Sequence, residues 1–350
     1  MRIQEHIPLA PLTTFQVGGP ARYFVQAESE NDVKDAVAYA AERQLPLFVL
    51  GGGSNLVVAD TGWPGLVLKI ALDGIHSSSA GKRKYFQAGA GADWDTLVAQ
   101  AVDEKCGGVE CLSGVPGTVG GTPVQNVGAY GQEVSDTISY VRVLEIASGH
   151  IIELSNSECN FRYRSSIFNT TQRNRYIVLQ VMFQLHADSQ PTIEYADLKK
   201  HFADSGHEPS LQQVREAVRQ IRRSKAMLIV EGDEDSRSAG SFFKNPVVTP
   251  TEADRMEALA HKPVPRYPAD NGLVKLSAAW LVEQSGFQKG YACGPAGISR
   301  KHALAIVNRG GARARDIMAL KDEVQRKVFD AWGIHLEPEP VFVGFEQAPG

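Results

Sequence analysis

Cysteine is scarce in this chain. Four occur in 350 residues, Cys106, Cys111, Cys159 and Cys293, with no C-x-x-C pair and no histidine at metal-ligand spacing. Neither a disulfide framework nor a zinc site is expected, and the thiols are read as reduced. An excess of positive charge is missing as well. Thirty-six Lys plus Arg stand against 40 Asp plus Glu, a formal net charge of -4, which supplies no overall basic field for nucleic acid. Long apolar runs are absent too: the longest stretch without a charged side chain, Cys111 to Gln132, is rich in Gly, Pro, Thr, Gln and Asn and could not satisfy its backbone as a membrane helix. Residues 1–20, MRIQEHIPLAPLTTFQVGGP, lack the basic stretch and apolar run of a secretory leader. A cytoplasmic protein is therefore expected.

What is present is the composition of a core-forming protein, 43% hydrophobic and 22% charged, at a length that suits two or three domains. Arg22 to Gln26 reads as a strand. Ser29 then opens an S-x-x-D cap before Val33, Ala36, Val37 and Ala40, which recur at helical spacing. Leu47 to Leu50 and Leu66 to Ile70 are further strands; a helix is expected from Asp93 to Lys105. Lys84 to Ala88, Ile138 to Ile146, Ile151 to Leu154 and Tyr176 to Leu185 read as β-rich runs. The polar segment Ala187 to Pro209 marks a border placed near 187–215, followed by a helix capped by Ser210 with Leu211, Val214, Val218 and Ile221 on its apolar face. Two more helices are expected at Leu276 to Gln284 and Ala314 to Phe329, and a closing strand at Val341 to Phe345.

Glycine is concentrated in two places. The tract 114–131, GVPGTVGGTPVQNVGAYG, has six glycines in eighteen residues, and GGGSN at 51–55 directly follows a predicted strand. Glycines at this density bring backbone N–H groups close to a ligand and form nests for anions such as a pyrophosphate. Runs of tight turns would use the same residues, but Gln125, Asn126 and Tyr130 add polar side chains, and two such loops suggest one nucleotide held by both. Neither loop continues as the G-K-[ST] of a P-loop, and neither is a G-x-G-x-x-G. A non-Rossmann dinucleotide site remains.

Three shorter segments carry candidate chemistry. In AGSFFKNP at 239–246, Ser241 and Lys244 form the S-x-x-K of acyl-serine enzymes, but the S-D-N and K-T-G strings that accompany it there are absent. A serine in a turn before a core Phe-Phe pair is the plain alternative. FRYRSSIF at 161–168 sets two arginines among aromatics, where a guanidinium can grip a carboxylate in bidentate fashion or simply face solvent. LEPEP at 336–340 places Glu337 and Glu339 two apart.

Taken in order, TTFQVGGPARYF, LGGGSNLVV, SGVPGTVGGTPVQNVGAYG, FRYRSSIF, AGSFFKNP, VKLSAAWLVE and LEPEPVFVG cover nearly the whole chain. In this order they resemble the UDP-N-acetylenolpyruvoylglucosamine reductase (MurB) family of peptidoglycan precursor synthesis. IEYADL around Tyr195 is similar to the subtype that folds an extra tyrosine-bearing loop over the substrate. The resemblance implies an α+β, vanillyl-alcohol-oxidase-like (PCMH-type) FAD-binding fold with a third α+β domain that completes the substrate site. The implied division is 1–70 and 71–215 for the two flavin subdomains, the second including the Tyr195 loop, and 216–331 for the substrate domain, with the tail 332–350 returning near the first.

It further implies non-covalent FAD held by Gly51, Gly52, Gly53, Ser54, Asn55, Leu56, Gly114, Pro116, Gly117, Gly120, Gly121, Thr122, Asn126, Gly128, Ala129 and Val178. Arg164, Ser241 and Glu339 match the catalytic positions; Tyr130, Tyr195, Lys225, Asn245 and Lys275 match or neighbour the groups that meet substrate or NADPH. The implied reaction passes hydride from NADPH to FAD and on from flavin N5 to the enolpyruvyl methylene. Arg164 stabilises the enolate and Ser241 protonates the α-carbon, which only a strongly basic carbanion makes feasible for a serine. No metal is implied, and a monomer is expected. Departures from the family pattern are the longer run 226–238, Ala292 where a glutamine is usual, and Pro340 after Glu339. An acyl-serine hydrolase and a catalytically silent nucleotide-sugar binder are the competing readings; the second is disfavoured because Arg164, Ser241 and Glu339 are all retained.

Overall fold

Ser29 accepts a hydrogen bond from the Asp32 N–H while the Asp32 carboxylate accepts from the Ser29 N–H, the reciprocal cap that S-x-x-D forecasts. The helix it starts, Glu30–Glu42, buries Val33, Ala36, Val37 and Ala40. The helix joins the strands Pro20–Ala27 and Leu47–Leu50, which both run parallel to Trp63–Ile70 between them. Parallel neighbours need such crossovers. Gln4–Pro8 completes the four-stranded sheet.

The computed structural model describes residues 1–345, and contacts divide the chain into two units. The first comprises 1–7, 21–53 and 63–223; the second comprises 8–20, 54–62 and the chain from 224 onward. Besides the parallel sheet, the first unit contains an antiparallel sheet in the order Ile151–Ser155, Ile138–Glu145, Tyr176–Ala187, Arg83–Gly89, Ile75–Ala80, with Cys106–Gly107 paired to the end of its long central strand. That strand turns Ile177, Leu179, Val181, Phe183 and Leu185 inward at the two-residue period of a pleated chain. The helix Trp94–Asp103, capped by the Asp93 side chain, buries Trp94, Leu97, Val98 and Ala101 on one core with Val25, Leu68 and Phe86.

The second unit holds two small antiparallel sheets, Val247–Val248 with Val274–Leu276 and Arg266–Pro268, and Ala292–Cys293 with Ala296–Ile298 and Ile306–Asn308. Leu56–Val58 and Val341–Val343 pair in parallel within this unit. The helices Pro250–Ala260, Ala278–Gln284 and Ala314–Trp332 pack around Phe15, Phe242, Phe243, Phe287 and Ile317.

Several elements depart from the sequence reading. The helix expected from Leu276 begins at Ala278, because Leu276 is still in a strand and Ser277 caps by accepting from Trp280 N–H. Pro250–Ala260 was not anticipated: its inward face is only Ala253 and Met256, too little to register as a stripe. By contacts, the first unit ends at Arg223, just beyond the border expected at 187–215. The helix Leu211–Ser224 stays with the first unit because Val214, Ala217 and Val218 pack on Cys111, Tyr130 and Leu198. Residues 8–20 and 54–62, expected within 1–70, cluster with the second unit. Part of the expected returning tail, 346–350, lies outside the described residues.

Leu68 is fully buried and Leu259 is 58% exposed. Leu68→Ala is expected to cost about 2–5 kcal/mol, and Leu259→Ala to stay within about 0.5 kcal/mol, read as shifts of the urea midpoint followed by circular dichroism.

Candidate functional site

In the first unit the chain leaves the strand Leu47–Leu50 as Gly51-Gly52-Gly53 and meets the second glycine loop. A Cβ built on Gly52 would lie 2.5 Å from the Cα of Gly117, and one on Gly51 would lie 3.2 Å from the Thr118 hydroxyl. At position 52 only glycine allows this approach, and Gly117 itself sits at φ +128°. The Thr118 hydroxyl is buried with no hydrogen-bond partner. An orphaned donor beside backbone that only glycine can form is a cradle fitted to a ligand oxygen. Lys69 Nζ donates to the Gly51 carbonyl, and burial lowers the pKa of this lysine.

The charge-free tract is fixed by charges from other segments. Asp95 accepts the Gly114 N–H at 2.7 Å and is gripped by Arg215 at 2.6 Å and by Arg219. Burial alone would raise the Asp95 pKa; the Arg215 pairing, the Gly114 amide and Arg219 outweigh it and hold the carboxyl below its ordinary range. The deeply buried Arg222 donates from Nε to the Gly114 carbonyl at 3.1 Å. Further on, Gly120 packs where a Cβ would meet that of Ala90 at 2.5 Å, whereas Gly121 faces open space. Thr122 is buried but spends its hydroxyl on the Val119 carbonyl, 2.8 Å away, and Val178 is buried in the long strand. Pro116 is partly buried in the turn between Gly114 and Gly117.

Asn126, Gly128 and Ala129 carry the tract to the arginine loop. Ser166 Oγ donates to the Val124 carbonyl at 2.6 Å, Asn126 Nδ2 to the Arg162 carbonyl at 3.2 Å, and Arg164 Nη1 to the Gly128 carbonyl at 2.8 Å. Arg162 and Ser165 exchange both backbone hydrogen bonds, which puts Arg164 at the turn with φ 53°. Such a conformation in a residue other than glycine stores strain and aims the guanidinium from the backbone up. Tyr130, at φ 51° and nearly buried, meets the half-exposed Tyr195 edge to face at 5.3 Å. The Tyr195 segment is anchored at its base by Thr192, whose N–H donates to the buried Glu110 carboxylate at 2.9 Å.

In the second unit Asn55 holds the segment of Glu339 from both sides: its Nδ2 donates to the Glu339 carbonyl at 3.2 Å and its own carbonyl accepts from Val341 N–H at 2.9 Å. The Ser54 carbonyl accepts from Thr14, and Leu56 enters the strand paired with Val341. The Glu339 N–H donates to the Phe242 carbonyl at 2.9 Å, so AGSFFKNP and LEPEP lie side by side and bring the segments of Ser241 and Glu339 together. Lys244 pairs with Glu337 at 2.7 Å rather than serving Ser241 as the base of an acyl-serine enzyme. Ser241 Oγ is instead 3.4 Å from Nε2 of His302. Asn245 Oδ1 accepts from Ala278 N–H at 2.9 Å, and Lys275 lies on the strand paired to Val247 and Tyr267. Lys225 is close enough to His302 to affect its charge.

Asp95, Glu110, Thr118, Arg222 and His302 were not anticipated. Only Thr118 lay inside a motif; the others are single residues in unremarkable surroundings. Among the described residues no group of three or more His, Cys, Asp or Glu could hold a metal, and no helix is long and apolar enough to cross a membrane.

A family model described as an FAD binding domain matches residues 21–155, and one described as the C-terminal domain of UDP-N-acetylenolpyruvoylglucosamine reductase matches 233–343. The UDP-N-acetylenolpyruvoylglucosamine reductase of Thermobifida fusca (strain YX) is 45% identical over 97% of this chain and 98% of its own. That of Streptomyces coelicolor is 44% identical over 96% of this chain and 89% of its own. The crystal structure of the corresponding enzyme (MurB) from Thermus caldophilus superposes with a TM-score of 0.67 at 27% identity, covering 98% and 99% of the two chains. The expected mixed α/β architecture with an FAD-binding domain agrees with these matches.

Burial, then Lys225 and Lys289, depress the pKa of His302 from 6.5 to about 4. Its C2 proton in NMR is expected to titrate with a midpoint near that value and to stay flat above pH 6. The sign for stability follows: the unfolded chain takes up this proton first, so lowering the pH from 6.5 toward 4 favours unfolding.

Proposed function

Because the chain belongs to the UDP-N-acetylenolpyruvoylglucosamine reductase family, we propose how its own residues carry that reaction. The protein is an FAD-dependent oxidoreductase that reduces UDP-N-acetylglucosamine enolpyruvate to UDP-N-acetylmuramate in peptidoglycan synthesis. FAD, when bound, supplies hydride transfer, with NADPH as the proposed source of the hydride. The cradle of Gly51 to Gly53 and Gly114 to Ala129 would hold it, with the Thr118 hydroxyl as a donor to its diphosphate.

The remaining work falls to charge placement and proton transfer. Reduction of the enol ether leaves negative charge on the α-carbon and its carboxylate. Arg164, permanently cationic and oriented by a strained turn, stabilises that charge, and a preorganised cation away from bulk water does so more strongly than one in it. Ser241 gives its proton to the α-carbon; Glu339, held by Asn55 and Phe242 through its backbone, polarises the same group. Tyr130, Tyr195, Lys225, Asn245 and Lys275 bind the sugar nucleotide or NADPH. The observation that carries this assignment is the backbone pairing of Glu339 with Phe242, which sets the glutamate segment beside the serine segment. We place the enzyme in the cytoplasm as a monomer.

Gly52→Ala is expected to push the glycine loops apart and to yield protein with less flavin, measured as visible absorbance relative to protein absorbance after purification. Ser241→Ala is expected to leave flavin reduction by NADPH within about twofold and to slow reoxidation by the enolpyruvyl substrate about 10²–10⁴-fold in anaerobic stopped-flow measurements. Equal loss of both half-reactions would remove Ser241 from the proton-transfer step.

A further inference from the structure

Within the second unit, Ser241 and His302 are joined twice. The side chains meet with Oγ 3.4 Å from Nε2, and the backbone adds a hydrogen bond from the Phe242 N–H to the Leu304 carbonyl at 2.8 Å. The loop that carries His302 is closed on itself. Ser299 N–H donates to the Ala305 carbonyl at 2.8 Å, Ala305 N–H to the His302 carbonyl at 3.2 Å, and Lys301 N–H to Ser299 Oγ at 3.0 Å. Its outer side is pinned by the long run 226–238: Lys301 Nζ pairs with Asp233 at 2.5 Å and Arg300 with Glu234 at 3.3 Å. The run also holds the far end of this segment, where Arg237 Nε donates to the Asn308 carbonyl at 2.9 Å and the Asn308 N–H donates to the Arg237 carbonyl at 2.9 Å. The imidazole is therefore presented to Ser241 by a loop with little freedom of its own.

We propose that His302 is a positioning residue for the proton transfer, donating from Nε2 to Ser241 Oγ so that the serine's own proton is turned toward the substrate. The proposal rests on Ser241 being the proton donor. A hydroxyl that must give up its proton needs a donor to its oxygen, because that hydrogen bond strengthens as negative charge gathers there. Burial, reinforced by Lys225 and Lys289, keeps the imidazole neutral near neutral pH. A neutral imidazole can keep donating its Nε2–H through the step, whereas an imidazolium would pass its proton on to the alkoxide. The balance is simple: the Ser241 O–H bond breaks as the C–H bond forms at the α-carbon, the alkoxide regains its proton from water, and His302 ends as it began. Lys225 and Lys289, the cations that face the ring, favour the same alkoxide.

The pair His302→Gln and His302→Asn tests this in the flavin-loaded enzyme. Both side chains are polar and of similar bulk, but only the Gln amide nitrogen reaches the place of Nε2. For His302→Asn the rate of flavin reoxidation by the enolpyruvyl substrate is expected to fall about 10–100-fold, with substrate affinity and reduction by NADPH within about twofold of the parent; His302→Gln is expected to recover most of the loss. In a Ser241→Ala background, His302→Asn should cause no further loss. Multiplicative losses in the double variant, equal loss of both half-reactions, or a Gln variant as impaired as the Asn variant would each overturn the role given to His302. If Ser241→Ala alone leaves reoxidation intact, the assignment of Ser241 fails first, and that outcome is visible before His302 is touched.

Discussion

The stretch from Cys111 to Gln132 has no charged side chain of its own, so whatever fixes its backbone has to be supplied from elsewhere. Gly114 shows how this is done: its N–H is taken by Asp95, its carbonyl by Arg222, and Asp95 is in turn gripped by Arg215 and Arg219. The far end is bolted to the arginine loop through Val124, Asn126 and Gly128. Glycine brings the backbone close enough to a ligand to serve it but costs conformational entropy on ordering. The side chains anchored on both sides offset that freedom, and the same bonds that order the glycine tract also orient Arg164.

The second unit meets a related need with backbone bonds and one asparagine side chain. Ser241 and Glu339 come from segments far apart in sequence, yet the Glu339 amide is bonded to Phe242 and its carbonyl to Asn55. Both residues lie outside helices and strands, and these bonds tie their segments together. The two segments are clamped by their neighbours, an arrangement suited to holding the groups they carry within small tolerances.

Local features were legible in the sequence. The Ser29 cap, the helical stripe of Val33 to Ala40 and the two glycine loops announce themselves within a dozen residues, because capping, periodicity and glycine geometry are local physics; the segments bearing Arg164, Ser241 and Glu339 stood out as sites only through the family resemblance. What escaped is non-local. His302 stands 61 positions from Ser241, and Arg215 stands 120 from Asp95; a lone histidine or arginine carries no local mark of its partner. The border of the first unit escaped for the same reason: the helix Leu211–Ser224 follows a polar stretch that looks like a linker, but its apolar face is claimed by Cys111, Tyr130 and Leu198. Pro250–Ala260 did have a signal in Thr249, Pro250 and Glu252, a complete cap in front of too short an apolar face.

The parallel pairing of Leu56–Val58 with Val341–Val343 has a bearing on how the protein is made. Asn55 must wait 284 positions for Glu339 to emerge before it has that partner. On the ribosome the early strand stays an open edge for most of synthesis, the kind of surface on which nascent chains aggregate. The same delay means that a prematurely released chain lacks Glu339 as well as the strand that locks it in place. Translation thus reaches Glu339 and the strand that clasps its segment within a few codons of each other.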